Sequence, residues 1–162
     1  MPLPAPLLDG RFLLRRAVAS DVNAIVELLV EDTRRAAIET SAPEARSAYE
    51  KAFQQVDADA SQLLVVATDP SDVVVATMQL TFIPGLSRAG STRLQLEAVR
   101  VRSDQRSNGL GGAMMEWAVQ EGKRRGARLL QLTSDRSRAD AHRFYDRLGF
   151  VVFYVGYKLD LD

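Results

Sequence analysis

Apolar and polar residues alternate along the chain with two different periods, and the changes of period predict its secondary structure. Short runs rich in β-branched and other apolar residues, bounded by turn residues, are typical of strands. Asp69, Pro70 and Ser71 separate two such runs and favour a hairpin turn, while residues 83–91 have the composition of a loop. The runs that predict strands are 12–16, 62–68, 72–82, 94–102, 129–133 and 150–159.

Other segments have the spacing of amphipathic helices. Asp21 gives the first helix an N-cap signal before Val22, and Pro43 suits the first turn of the second. A third helix is predicted after the glycine-rich residues 105–112 and a fourth around Tyr145. They end at Gly126 and Gly149, because glycine readily adopts the left-handed backbone that follows many helices. This order of elements predicts an α/β (α+β) fold with a mixed central sheet of about six to seven strands, flanked by about four helices.

The composition is that of a single globular domain. The chain has 162 residues, of which 46% are hydrophobic and 26% are charged, as in ordinary globular proteins. A domain of this length buries roughly two thirds of the surface of its unfolded chain. We therefore expect one domain over residues 1–162, with a flexible lead over residues 1–10, where proline recurs and no basic leader marks a signal peptide.

Charge and residue usage argue against several classes of function. The formal net charge is +0, so a general affinity for nucleic acid or for an anionic membrane is not expected. No apolar run approaches the ~20 residues of a membrane span, and we expect a cytoplasmic protein. With no cysteine and one histidine, the sequence predicts neither a cysteine nucleophile nor a metal site.

Residues 105–112, with the sequence QRSNGLGG, lie between the strand 94–102 and the helix that follows it. The first N–H groups of such a helix lack partners and attract phosphate, and glycine lets the phosphate approach the backbone closely. Arg106 adds a fixed positive charge on a planar fork of donors. Two common phosphate motifs do not match, because Met114 stands where the dinucleotide fingerprint needs its third glycine and no Gly-Lys-Ser/Thr closes the turn.

The spacing Arg106-x-x-Gly109-x-Gly111 resembles the R/Q-x-x-G-x-G/A loop that holds the coenzyme A pyrophosphate in the GNAT superfamily of N-acetyltransferases. A second segment, residues 141–150 with the sequence AHRFYDRLGF, resembles the A-x-x-F-Y-x-x-x-G-F signature of the same superfamily. It follows the predicted strand 129–133, as the family pattern requires. The resemblance is in sequence over residues 94–158 and in the order of elements before them.

This resemblance implies a GNAT-like fold and acetyl-CoA as the co-substrate, with no metal. In that fold the strands corresponding to 94–102 and 129–133 splay apart, and the pantetheine arm of the cofactor lies in the gap. Arg138 departs from the pattern, since many members have an asparagine there that contacts this arm. The residues predicted to bind the cofactor are Val99, Val101, Arg106, Ser107, Asn108, Gly109, Leu110, Gly111, Gly112 and Ser134.

Tyr145 is the candidate proton donor. A leaving thiolate benefits from a nearby donor, and a phenol with a pKa of about 10 stays protonated at neutral pH. In the family, the tyrosine of the F-Y pair commonly lies beside the sulfur of coenzyme A, so the resemblance implies this role for Tyr145. The alternative is that Phe144 and Tyr145 are both core aromatics that anchor a helix, and for Phe144 we favour that alternative.

Glu97 is the candidate base. The acceptor amine, with a pKa of about 10.4 if it resembles a lysine side chain, must lose a proton before it attacks. Several family members carry an acidic residue on this strand, and Glu97 would act through water. By a period of two it shares a strand face with Gln95, Val99 and Val101. The alternative is a solvated carboxylate, or one paired with Arg93 or Arg100.

Together these residues predict an N-acetyltransferase that moves an acetyl group from acetyl-CoA to a primary amine of a small molecule or peptide. Because no cysteine can carry the acyl group, we expect direct attack in a ternary complex. The alternative is a catalytically silent acyl-CoA-binding or regulatory module on the same fold. We expect the acceptor pocket at residues 31–47 and 83–93, which do not identify the amine, and the sequence leaves a homodimer open.

Overall fold

The computed structural model describes residues 2–31, 40–159 and 161. The chain forms two compact units, Met1–Gln131 and Leu132–Asp162. That residues 1–162 act as a single domain stays a prediction.

A single sheet holds the strands, and their spatial order is their order in the chain. The pairings from the first strand to the fifth are antiparallel. A long helix connects the last two strands, and a crossover of this kind is what parallel neighbours need. The strands are β1 Ala5–Leu7, β2 Phe12–Arg16, β3 Gln62–Thr68, β4 Val74–Ile83, β5 Thr92–Val101 and β6 Ala127–Leu132.

In the described ranges the helices follow the predicted order, with one addition. A single turn, α3, lies in the segment predicted as a loop, and Arg88 and Ala89 within it have positive φ angles of 53° and 56°. Short 3₁₀ turns precede three of the longer helices, and Pro43 begins one of them as expected. The helices are α1 Val22–Val30, α2 Arg46–Ala58, α3 Ser87–Gly90, α4 Leu110–Arg124 and α5 Ala139–Arg147.

Helices cover both faces of the sheet in the first unit. On one face, α4 packs on β5. Leu94 and Leu96 of β5 and Met114 of α4 are buried there. The approach is close at Gly122, because a Cβ atom there would lie 3.0 Å from Cδ2 of Leu94. On the other face, α1 and α2 pack on a cluster that includes Val66 of β3. The predicted fold class, a sheet flanked by helices, is therefore confirmed.

The N-terminal lead differs from the expectation at β1. Ala5 is fully buried, and Leu7 is nearly so. Ala5 pairs with Leu14 of β2, and Pro6 pairs with Leu13. Proline has no N–H to donate to a neighbouring strand. Pro6 is tolerated in β1 because β1 is an edge strand, with a neighbour on one side only.

Asp21 is the N-cap residue of α1, but its side chain makes no capping hydrogen bond to that helix. Its carboxylate instead accepts the N–H of Val18 at 2.8 Å and two bonds from Arg15, at 2.7 and 3.0 Å. Burial disfavours the charged form, but the hydrogen bonds from Arg15 and Val18 outweigh it and lower the pKa of Asp21. Asp21 therefore lies at the start of α1 as predicted, but its side chain bonds to Arg15 of β2 instead of capping the helix.

The last predicted strand is wrong. Residues 150–159 have no regular secondary structure, and nearly all of them are exposed. Their β-branched and aromatic residues have strand propensity, but a strand also needs a neighbour with which to pair. Within the described part of Leu132–Asp162 the only strand residue is Leu132 at the end of β6.

Candidate active site

The segment after β5 turns sharply before it enters α4. Residues Ser103–Gln105 form a 3₁₀ turn, and the N–H of Arg106 donates to the carbonyl of Ser103 at 3.3 Å. Ser107 has a φ angle of 63°, and Gly109, the N-cap of α4, has 85°. These positive angles turn the chain within a few residues, and glycine adopts them without strain.

The start of α4 presents a row of free backbone donors. Ala113 makes the first hydrogen bond of the helix, to the carbonyl of Gly109 at 3.0 Å. Among the described residues, the N–H groups of residues 107–112 have no backbone acceptor. No acidic residue lies in the first turn of α4 to repel an anion. The row therefore has the donors and the dipole direction that a phosphate group requires.

The side chains of this loop leave the donors accessible. Ser107, Asn108 and Gly109 are exposed, whereas the side chain of Leu110 is buried in the core, so Leu110 offers only its N–H. A Cβ atom added to Gly112 would meet nothing within 4 Å. The space beside Gly112 is therefore open, whereas a Cβ atom at Gly109 would lie 3.6 Å from Cδ2 of Leu8.

Arg106 is not a free cation. Its Nε donates to the carbonyl of Val101 at 3.0 Å, and its Nη2 donates to Oε2 of Glu31 at 3.0 Å. Two sides of the guanidinium are thus engaged within the protein. Its guanidinium forms an ion pair with Glu31, a contact that the sequence did not indicate.

A β-bulge interrupts β5 at Ala98, whose φ angle is 50°. Gln79 of β4 pairs with Glu97, but the next pairing is Thr77 with Arg100, so β5 has one more residue than β4 between these pairs. A bulge leaves its extra residue outside the ladder of backbone hydrogen bonds. Backbone groups near Ala98 are therefore not paired as in a regular strand.

The bulge corrects the predicted face of Glu97. Paired residues of antiparallel strands have their side chains on the same face. Glu97 is opposite Gln79, and Arg100 is opposite Thr77, which is on the same face as Gln79. Val101 is opposite Ala76, on the other face. Glu97 thus shares its face with Gln95, as predicted, and with Arg100, and the prediction that it shares this face with Val101 is wrong.

Polar side chains form a row across this same face of the sheet. Gln62 of β3 pairs with Thr81 of β4, which pairs with Gln95 of β5. Oε1 of Gln62 accepts the Thr81 hydroxyl at 2.7 Å, and Nε2 of Gln131 on β6 donates to Oε1 of Gln95 at 2.7 Å. The exposed carboxylate of Glu97 is therefore next to amide groups rather than apolar ones.

Tyr145 and Ser134 belong to the second unit. Tyr145 is half-buried on α5, and its ring meets those of Phe144 and Phe150 edge-on, with centroids 5.3 and 5.7 Å apart. The hydroxyl of Ser134 is buried, and no described residue bonds to it. His142 is half-buried, and its Nε2 lies 2.8 Å from the carbonyl oxygen of Asp135, a contact at the start of α5.

Part of the expected acceptor segment lines a cavity. Residues 32–39 lie outside the described residues, but residues 40–43 are described. They border a cavity of about 260 Å³ between α1 and the start of α2. Its lining consists of Val22, Asn23, Val26, Glu27, Thr40, Ser41, Ala42, Pro43, Arg46 and Tyr49.

Two structural properties bear on metals and membranes. No group of three or more histidine, aspartate or glutamate side chains among the described residues is placed to hold a metal ion. None of the described helices is long and apolar enough to cross a membrane.

Comparison with known proteins identifies the family. The model of the acetyltransferase (GNAT) family matches residues 13–150. The chain belongs to this family. The match spans β2 to the end of α5, so it includes both the free donors at the start of α4 and the helix that carries Tyr145.

Individual relatives of this GNAT protein differ in how much of it they match. Aminoalkylphosphonate N-acetyltransferase from Salmonella typhimurium is 34% identical over 56 residues, which are 35% of this chain and 36% of that relative's length. A transcriptional regulator from Bacillus halodurans C-125 has a TM-score of 0.88 at 34% identity, covering 93% of this chain and 99% of the other. A putative acetyltransferase from Agrobacterium tumefaciens has a TM-score of 0.77 at 25% identity, covering 91% and 99%.

Proposed function

We propose that this chain is an N-acetyltransferase that moves an acetyl group from acetyl-CoA to a primary amine of a small molecule or peptide. The observation that carries the proposal is the row of free N–H groups over residues 107–112, in a chain of the GNAT family. A binding site for a dianionic pyrophosphate needs several converging donors, and this helix start offers them with no acidic residue in its first turn.

The family resemblance assigns further residues to the remainder of the cofactor. Acetyl-CoA supplies the activated acyl group as a thioester. The backbone of residues 107–112 would hold its pyrophosphate, and Val99 and Val101, at the end of β5, would contact its pantetheine arm. From the family resemblance we also propose a contact of the cofactor with the hydroxyl of Ser134, which is buried in the second unit. No metal is required, because backbone donors rather than a cation neutralise the charge.

The acceptor must be deprotonated before it attacks. Glu97 is exposed and lies beside the polar row of Gln95, so it can accept a proton through an ordered water. The bulge at Ala98 supports a second role for this strand, because backbone N–H groups outside the ladder can stabilise negative charge on the carbonyl oxygen of the transferred group.

Tyr145 completes the proposed chemistry. The phenol is protonated at neutral pH and can donate to the departing thiolate. Its edge-on contacts with Phe144 and Phe150 restrict the orientation of the ring. Tyr145 is thus proposed as the general acid and Phe144 as its packing partner.

The amide groups near Glu97 favour an acceptor with polar groups besides its amine. Apolar amines would leave the side chains of Gln79 and Gln95 without new partners and would gain little from this face of the sheet. A hydrophilic small molecule or a peptide can exchange hydrogen bonds with them.

A screen of amines tests the proposed function. The purified chain is mixed with acetyl-CoA and a library of amino acids, polyamines, amino sugars and peptides, and free thiol is recorded. We expect release of thiol that depends on one class of amine and yields an acetylated product by mass spectrometry. Binding of acetyl-CoA without thiol release for any amine would instead support the silent acyl-CoA-binding module.

A further inference from the structure

Glu31, at the end of α1, joins that helix to the cofactor loop. Its Oε2 accepts Nη2 of Arg106 at 3.0 Å, and its Oε1 accepts the N–H of Ser103 at 3.1 Å. Ser103 begins the 3₁₀ turn, and Arg106 is the residue that follows it. A single carboxylate therefore ties both ends of the turn to α1.

The position of Glu31 is not explained by the helix to which it belongs. Glu31 is the C-cap residue of α1 and donates its N–H to the carbonyl of Glu27. The C-terminal end of a helix carries partial negative charge, so a carboxylate there is unfavourable to the helix itself. Its favourable interactions are those with the loop.

The ion pair also fixes the direction of Arg106. With Nε bound to the carbonyl of Val101 and Nη2 bound to Glu31, the guanidinium spans the end of β5 and the end of α1. The side chains of Arg106 and Glu31 are 54% and 30% exposed, so solvent weakens the charge attraction. The contact thus matters more for the geometry of the loop than for the stability of the fold.

We propose that Glu31 is a positioning residue for coenzyme A. It holds the turn at residues 103–106 so that the N–H groups of residues 107–112 converge before the ligand arrives. A preformed site binds more tightly, because the loop loses no further freedom on binding. This inference rests on the proposed function, since it assigns the loop to the cofactor pyrophosphate.

A competing role for Glu31 predicts an effect of opposite sign. If the carboxylate only neutralised Arg106, its removal would free a cation for the phosphates and would tighten the binding of coenzyme A. If Glu31 positions the loop, its removal weakens binding. The affinity of a Glu31→Ala variant therefore separates the two.

Calorimetric titration with coenzyme A is the first test. We expect Glu31→Ala to weaken binding roughly tenfold, because coenzyme A would then have to order a turn that the two hydrogen bonds of this carboxylate no longer hold. Glu31→Gln should lose less, because its amide oxygen can still accept the N–H of Ser103. The matched control is Glu116→Ala, which removes the same charge from an exposed position on α4. The control should bind as the wild type does.

A second readout distinguishes positioning from general damage to the fold. S-acetylpantetheine lacks the pyrophosphate, so Glu31→Ala should leave kcat/KM for this substrate unchanged while KM for acetyl-CoA rises. The double variant Glu31→Ala/Arg106→Ala should lose less affinity than the sum of the single losses, because both residues act through one contact.

Three outcomes would overturn the inference. They are unchanged or tighter binding of coenzyme A by Glu31→Ala, an equal loss with S-acetylpantetheine, and additive effects in the double variant. A wild-type chain that binds no coenzyme A would overturn the proposed function together with the inference. Wild-type binding with an unaffected Glu31→Ala variant would overturn the inference alone.

Discussion

Glu97 and Arg100 lie on the same face of β5, although three positions separate them in the sequence. In a regular strand the period of two would place them on opposite faces. The extra residue at the Ala98 bulge shifts the pairing with β4, and this brings the two side chains to one side. The bulge therefore decides which residues surround the candidate base.

The positive φ angle at Ala98 gives a prediction about stability. A left-handed backbone costs an alanine roughly 1–2 kcal/mol, and glycine avoids most of this cost. Ala98→Gly should therefore raise the free energy of unfolding by about 0.5–1 kcal/mol in urea denaturation. The control is Ala127→Gly in β6, which has no positive φ angle and should lose stability. Equal losses in both variants would show that Ala98 is not strained.

The cofactor loop gives a prediction about affinity. Gly111→Glu adds bulk and a negative charge beside the free N–H groups at the start of α4, so coenzyme A binding should fall by at least about 100-fold. The matched control is Gln120→Glu, which adds the same charge at an exposed position on the same helix. Calorimetry should show wild-type affinity for the control. A folded Gly111→Glu variant with wild-type affinity would remove the loop from the binding site.

The sequence predicted the elements that depend on local chemistry. Asp69 and Asp72 form the predicted hairpin turn, with the N–H of Asp72 donating to the carbonyl of Asp69 at 2.9 Å. Gly126 and Gly149, predicted to follow helices, both have positive φ angles, of 76° and 84°. In both places the conformation follows from the residue type and its immediate neighbours.

The features that the sequence did not predict depend on distant partners. Ala98 gave no sign of a bulge, because alanine rarely adopts a positive φ angle. Ala5 became part of a strand because β2 offers it an edge. Residues 150–159 have strand propensity but no paired neighbour among the described residues. Glu31 meets Arg106 across the fold, a contact that no local pattern encodes.

Tyr145 gives a prediction about the chemical step. Tyr145→Phe keeps the ring that packs on Phe144 and Phe150 and removes only the hydroxyl. The rate of acetyl transfer in a single turnover should fall by roughly 100-fold, with little change in the affinity for acetyl-CoA. The same change at Tyr157, which is exposed, should leave the rate unaffected. An unchanged rate for Tyr145→Phe would assign this residue to packing alone.

Glu121 gives a prediction about pH. The hydrogen bond from Arg124 lowers the pKa of this carboxyl, burial opposes the shift, and the bond from Arg125 lowers the pKa further. A lowered pKa means that the ionised form stabilises the fold above about pH 4.3, and that this contribution is lost as the pH falls further. Glu121→Gln should therefore be less stable at neutral pH by about 1–3 kcal/mol, since it loses charge-assisted bonds.

The difference in unfolding free energy between wild type and Glu121→Gln should shrink when the pH is lowered from about 6 to about 3. Glu116→Gln, an exposed change on the same helix, should show no such dependence. A gap that stays constant across this range would mean that Glu121 remains ionised or contributes by packing alone.

The absence of cysteine gives a prediction about the order of events. The most familiar carrier of an acyl group is missing, and a serine nucleophile would need a neighbouring base. The single histidine, His142, directs Nε2 at the carbonyl oxygen of Asp135. Acetyl transfer should therefore be direct, within a ternary complex of the chain, acetyl-CoA and amine. Initial-rate plots should intersect, and an intact-mass spectrum after mixing with acetyl-CoA alone should show no added acetyl group. Parallel plots, or an adduct that disappears when the amine is supplied, would show that a covalent intermediate forms instead.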